Sequence, residues 1–387
     1  MTKYRKIFSL VIIIGLCTLF FSGCEKTGTE LSELMIIQGI GIDYENGEYS
    51  VTVEILNNEQ SGSPNGDTGS ENKTKIYSVK GETVADALRL LTTKSGNLPL
   101  FAHNRVIILN EKFDKNDIAE ILDFFVRNYD SRASQLICVA KGKAAGQIVR
   151  GELLNDTVKS EILENLLNES YEQALIPRVR ITDAINAVLN TSQTLCIPAV
   201  TIVKNGENED FELSGCVVYG GDDGTPAFLN MEESEGLAFL TNSVKKGFFT
   251  EVLPDGENVS FVINKSKTSY ATEIKNGNLI FHLSVEISCD LDQEGIGEMN
   301  YSDEKIMSDL KNTVKKAVSK RIENTLNALQ SDKAGDCIRF YRIFQLKNPR
   351  QFKAVEGDWN SVFKTITATV DTDVTIRRVG EEVLRLP

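Results

Sequence analysis

Histidine is almost absent from this sequence, which has only His103 and His282, and tryptophan is limited to Trp359. Two imidazoles leave little for metal ligation or general-base chemistry, and neither has a Cys, Asp or His cluster beside it. Both read as structural hydrogen-bonding residues. The seven cysteines are odd in number and widely spaced, with no C-x-x-C pair. Cys138, Cys196, Cys216, Cys289 and Cys337 lie mostly within strand-like runs such as "LICVA" and "GCVVY". They read as small buried hydrophobes, with neither a disulfide framework nor a metal site expected. Positive charge is also scarce, 42 Lys and Arg against 55 Asp and Glu, for a net charge of −13. Such a balance argues against nucleic acid, whose phosphates need clustered cations, and against peripheral adhesion to anionic lipid.

Motifs for catalysis are missing as well. "DLDQEG" at 290–295 opens like a calcium loop, but the position needing a bidentate acid is Tyr301. "GGDDG" at 220–224 lacks alternating ligands and reads as a turn. "GIGID" at 39–43 has two glycines, with Tyr44 where a dinucleotide loop needs its third. Neither a phosphate-binding Gly-rich loop ending in Lys-Ser/Thr nor a G-x-S-x-G elbow occurs. The residues point to no enzyme, no cofactor and no metal.

What is present begins at the N-terminus. Lys3, Arg5 and Lys6 precede the apolar run 7–21, the order of an export signal. The run is shorter than the ~20 apolar residues that cross a bilayer as a helix. Phe21-Ser22-Gly23-Cys24 resembles a bacterial lipobox, with Phe where Leu is usual. Residues 1–23 therefore read as a lipoprotein signal peptide. Cys24 is the expected lipidation site, because two acyl chains hold a protein on a bilayer where one is marginal.

The remainder is long enough for two or three domains. In the first region, 24–204, "MIIQGIGI" and "YSVTVEIL" read as strands, the second half-buried with Val51, Val53 and Ile55 on one face. Residues 57–72 have almost no apolar content and read as a mobile loop. "TKIYSVKG" resumes a strand. Thr83 is the expected N-cap of a helix whose face is Val84, Ala87, Leu88 and Leu91. "NRVIILN" is a strand, and Asn116 is the expected cap of a helix with Ile118, Ile121, Leu122 and Phe125 inward. "SQLICVAKG" is another strand, followed by helical pieces near 143–149, 158–167 and 181–189. Strands alternating with helices give a mixed α/β region, read as two subdomains.

The second region, 205–387, reads as an α+β domain. "LSGCVVYGGDDGTPAFLN" is a hairpin, and "KNGN" is an Asn-Gly turn between alternating strands. Ser302 is the expected cap of a long helix, with Asp303 and Glu304 in its first turn. Ile306, Leu310, Val314, Val318, Ile322, Leu326 and Leu329 form its apolar stripe. A shorter helix surrounds "AGDCIRFYRIFQ", and "FKTITATVDTDVTIRRVG" is a closing strand. The expected plan is a long helix packed on an antiparallel sheet.

The landmarks together resemble the Ger(x)C spore-germination lipoproteins, the C subunits of nutrient germinant receptors. Cys24, Glu30-Leu31 and Gly39-Ile40-Gly41-Ile42-Asp43 match the family's lipid cysteine, "EL" and "GIGID". Glu25-Lys26 stands where a Trp-Asp pair is usual. "GETVADALRLL", His103, Val106-Ile107-Ile108 and "ILDFFVRN" follow the middle pattern. Asp336, "KNPRQFK", Asp358-Trp359, Phe363, Arg378 and Gly380 follow the ending, with Phe352 in place of a Trp. The resemblance implies three α/β or α+β domains and no enzyme activity. It also implies assembly with two integral-membrane partners, the A and B subunits, at the outer face of the spore inner membrane. The germinant site is expected mainly in the B subunit. A solute-binding lipoprotein presenting a small ligand to a membrane permease is the second reading, although one tryptophan gives little to line its cleft.

Overall fold

A computed structural model describes Tyr4 and residues 33–57, 73–127, 131–153, 158–220, 225–254, 256–293, 303–331 and 334–378. The expected signal peptide, Cys24, nearly all of the 57–72 loop and the helix cap Ser302 lie outside these residues.

The first sheet has nine strands: β1 Leu34–Glu45, β2 Glu48–Leu56, β3 Thr74–Gly81, β4 Leu98–Leu100, β5 Val106–Asn110, β6 Leu136–Ala140, β7 Leu195–Asn205, β8 Asn208–Tyr219 and β9 Ala227–Leu229. The spatial order is β3-β2-β1-β5-β6-β7-β8-β9, with β4 beside β1. Its middle, β1-β5-β6-β7, is parallel, and antiparallel hairpins continue it at both ends. Parallel neighbours require crossovers, and helices supply them. These are α1 Val84–Ser95, α2 Lys115–Arg127, α3 Ala145–Arg150, α4 Lys159–Glu172 and α5 Ile181–Leu189.

Both faces of this sheet are covered. On one, Ile107 and Leu109 meet the inward stripes of α1, α2 and α5. On the other, Val106, Ile108 and Cys138 meet α3, α4 and the later helix α6, Met231–Leu240. The α1 stripe and its Thr83 cap, which accepts from the Asp86 amide, follow the sequence reading. For α2 the cap is Asp114 rather than Asn116: its Oδ1 accepts from the amides of Asn116 and Asp117 at 2.7 and 2.8 Å. Strand β2 is not half-buried. Thr52 and Glu54, on its supposed solvent face, are 1% and 0% exposed because α3 and α4 lie over them.

The division expected at 204/205 falls at the tip of the β7–β8 hairpin, so the first sheet runs on to β9. The second sheet has four strands, β10 Gly247–Val252, β11 Asn258–Lys275, β12 Asn278–Gln293 and β13 Thr367–Ile376. The expected Asn-Gly turn joins β11 to β12, and Asn276 and Gly277 both take left-handed backbone (φ 52° and 83°). That backbone matches the twist of the hairpin, and glycine adopts it without strain. β10, β11 and β12 are antiparallel, but β13 runs parallel to β12. Four helices intervene and carry the chain back to the end where β12 began: α7 Glu304–Leu329, α8 Phe340–Lys347, α9 Pro349–Val355 and α10 Trp359–Thr365.

Helix α7 starts at the cap Asp303 and lays Leu310, Val314, Val318, Ile322, Leu326 and Leu329 on the sheet. The opposite sheet face is polar and open, with Lys267, Glu286 and Asp373 side by side on three strands. The two halves join where α6 crosses α7. Gly236 permits this contact, since a Cβ there would lie 2.4 Å from the Arg321 carbonyl oxygen. Arg321 bridges Glu235 and Glu251 at 2.9 and 2.8 Å, largely shielded from water. One continuous apolar core therefore runs from the first sheet through α6 and α7 to the second.

Candidate functional site

The "GIGID" segment lies at the centre of β1, where the N-termini of α3 and α4 press on the strand. A Cβ at Gly39 would sit 1.9 Å from the Ser160 Oγ, and one at Gly41 would sit 2.7 Å from the Ala145 carbonyl oxygen. Only hydrogen fits at either place. Asp43 then reaches the start of α3, accepting from the amides of Ala145 (2.8 Å) and Gly146 (2.9 Å) and from the Asn110 Nδ2 (2.6 Å). Glu54 on β2 does the same for α4, accepting from the Lys159 and Ser160 amides at 2.9 and 2.7 Å. A carboxylate suits a helix N-terminus, where unpaired amides and the helix dipole favour negative charge. The segment resembling a nucleotide loop is thus a helix seat.

The second set of landmarks converges on Asp336. Its carboxylate accepts from the amides of Phe340 (3.0 Å) and Tyr341 (2.8 Å) at the start of α8, and from the Trp359 Nε1 (2.9 Å). Burial pushes the group up to about 6, against the pull of those hydrogen bonds. The Trp359 ring packs against Phe344 and Phe352, so the aromatic landmarks form one cluster. Phe363 meets Phe340 edge-on, and Phe340 stacks on Phe281 of β12. The lone tryptophan therefore ties three helices to one buried carboxylate.

Between the halves lies a cavity of about 140 Å³ bounded by Lys115, Ser192, Thr194, Tyr219, Trp359 and Asn360. Lys115 Nζ donates to the carbonyls of Asn190 (3.5 Å) and Gln193 (3.4 Å), and burial lowers its pKa. The buried Tyr219 hydroxyl has no partner among the described residues, and burial raises its pKa. Nearby, Cys196 lies against Cys216 and Cys337. The hydrogen bonds that the Cys196 thiol makes to these two sulfurs, then burial, hold its pKa well above the usual thiol value. The five described cysteines are free thiols, and Cys138, Cys216, Cys289 and Cys337 are buried.

His103 is exposed. His282 is exposed too, with its ring nitrogens 2.9 Å from the Thr369 Oγ1 and 3.2 Å from a Glu273 carboxylate oxygen. Among the described residues no group of three or more His, Cys, Asp and Glu side chains converges to hold a metal, and no helix is long and apolar enough to cross a membrane. Of the "DLDQEG" segment, 290–293 continue β12 and the rest lies outside the described residues, as do 221–224 of "GGDDG". Sequence reasoning missed Glu54, Lys115 and Tyr219. A carboxylate inside the strand-like "VTVEIL" was the one available signal.

Residues 28–202 match the spore germination protein N-terminal domain, and 214–380 match the spore germination B3/GerAC-like C-terminal domain. The chain is 23% identical to spore germination protein KC of Bacillus subtilis (strain 168), with 96% of this chain and 95% of that protein covered. It is 24% identical to spore germination protein B3 of the same organism, with 98% of each covered. The crystal structure of the GerBC protein superposes with a TM-score of 0.57 at 23% identity, over 87% of this chain and 96% of that one, a likeness of fold. With both domain matches in order along nearly its whole length, the chain belongs to the GerAC-like family of spore germination proteins.

Proposed function

We propose that this protein is the lipid-anchored C subunit of a spore germinant receptor, a non-enzymatic component held at the outer face of the spore inner membrane. Cys24 carries the lipid and becomes the mature N-terminus, and the folded body docks on the integral-membrane A and B subunits. The observation that supports this reading best is the placement of the family landmarks. Gly39, Gly41 and Asp43 seat helices on the first sheet, and Asp336, Trp359 and Phe363 hold the helices of the second half together, so the landmarks build a two-part scaffold. A scaffold tethered to a surface meets its partners at high local concentration, so modest contacts suffice for assembly.

The test is Cys24→Ala in sporulating cells. The expected result is a folded protein that leaves the membrane fraction, with nutrient-triggered germination slowed at least tenfold. Unchanged membrane retention in that variant would count against the anchor.

A further inference from the structure

The wider opening along the same seam is a cleft of about 610 Å³, bounded by α5, α6 and α8. Four arginines line it. Arg178 and Arg180 precede α5 in the first half, and Arg339 and Arg342 open α8 in the second. This concentration of one charge stands out in a chain of net charge −13. Four arginines elsewhere among the described residues find carboxylates, among them Arg105, which meets Glu164 at 2.6 Å, and Arg321, which meets Glu235 and Glu251. Among the described residues none of the four cleft guanidiniums has such a partner. Arg178 has only a loose stacking contact with the Tyr171 ring, 5.6 Å from its centroid. The one carboxylate lining the cleft, Asp183, turns its Oδ2 to the Arg180 backbone amide at 3.1 Å.

Two further features bear on what fits. Arg339 holds left-handed backbone (φ 71°), which a long side chain rarely adopts, and Asp336 fixes the turn by capping the next two amides. The lining is mixed, with Leu240, Ile338, Ile343 and Leu346 as its apolar part beside polar Thr241, Asn242 and Ser243, and Leu346 is 75% exposed. Guanidinium is the side chain best shaped to grip a carboxylate with two parallel hydrogen bonds. The volume lies in the usual range for a small-molecule site.

We propose that this cleft binds a small organic dicarboxylate with an apolar frame, one acid group held by Arg178 and Arg180 and the other by Arg339 and Arg342. Such a ligand bridges the two halves of the molecule and fixes their relative position. The inference does not rest on the receptor reading. Loss of membrane retention in Cys24→Ala leaves it untouched, and its own failure leaves the anchor untouched.

The test is calorimetric titration and thermal melting of the full chain in neutral detergent at fixed ionic strength. The probes are isophthalate and adipate as dicarboxylates, benzoate as a monocarboxylate, isophthalamide as a neutral isostere, and sulfate. At least one dicarboxylate is expected to bind saturably and raise the melting temperature, at least tenfold more tightly than benzoate, isophthalamide or sulfate. Arg178→Ala with Arg342→Ala together should weaken it about thirtyfold or more, and Arg342→Lys several-fold, because lysine keeps the charge and loses the fork. Arg127→Ala, on an exposed helix face paired with Asp123, should bind as the parent does. Unliganded melting temperatures near the parental value show that the variants fold. Absence of saturable binding by both dicarboxylates, equal binding of benzoate or sulfate, or unchanged affinity in the double variant overturns the proposal.

Discussion

The two halves of the molecule both seat helices on buried carboxylates, but they supply them differently. In the first, Asp43 and Glu54 project from adjacent strands and hold α3 and α4 flat on a sheet covered on both faces. In the second, Asp336 projects from a loop and gathers α8 and the Trp359 indole above a sheet whose other face is open. A strand-borne carboxylate has neighbours fixed by the backbone ladder, whereas a loop-borne one depends on the aromatic cluster packed around it. The first half should therefore be the stiffer body and the second the more easily loosened.

The comparison is tested most severely at Trp359. Trp359→Ala should cost about 3–5 kcal/mol, as large-to-small core changes do, because it empties the aromatic cluster and removes one of Asp336's donors. Hydrogen exchange should show protection falling in α8–α10 and β13 while β1 and β5 stay slow. Equal loss in both sheets would erase the distinction. Next in size is a pH effect. Burial raises the native Asp336 pKa from 3.8 to about 6, so between those values the native state holds a proton that the unfolded chain has released. Its contribution is therefore fully present at low pH and is lost as pH rises through about 6, by on the order of 3 kcal/mol at about 1.4 kcal/mol per unit. Asp336→Asn, measured by urea denaturation at pH 4.5 and 7.5, should lack this slope relative to the parent, and parallel profiles would contradict it.

Smaller is Gly39→Ala, which drives a methyl group into Ser160 and should cost about 1–3 kcal/mol by overpacking. Its effect should appear first as faster exchange in α4. The smallest is His282→Ala. An exposed polar contact of this kind contributes about 1 kcal/mol or less, so a melting temperature within a degree or two of the parent is expected, as befits the open face.

Local signals were the legible ones. Thr83 and the stripe Val84, Ala87, Leu88 and Leu91 could be read because a cap and its helix lie within a dozen residues. The Asn-Gly turn at 276–277 is equally local. What escaped depends on distant chain. Thr52 and Glu54 look solvent-facing until Arg150 and Ser160, roughly a hundred residues on, fold over them. Asp114 displaces Asn116 as a cap because the path out of β5 aims the earlier side chain at the helix, although both residue types cap well. The parallel direction of β13 follows from four intervening helices rather than from its own alternation. Of the candidate site, the family landmarks were visible as a pattern, but their roles were not. Asp336 and Trp359 are 23 residues apart in the sequence and meet only once α8 and α10 have folded.

The most direct test of the account is affinity purification of the tagged full-length chain from detergent-solubilised spore membranes. The account predicts co-recovery of two polytopic membrane proteins with a diacylglyceryl-modified Cys24, and loss of both partners from the Cys24→Ala preparation. Recovery of the chain alone from the aqueous phase, unacylated, in spores that germinate normally would contradict it.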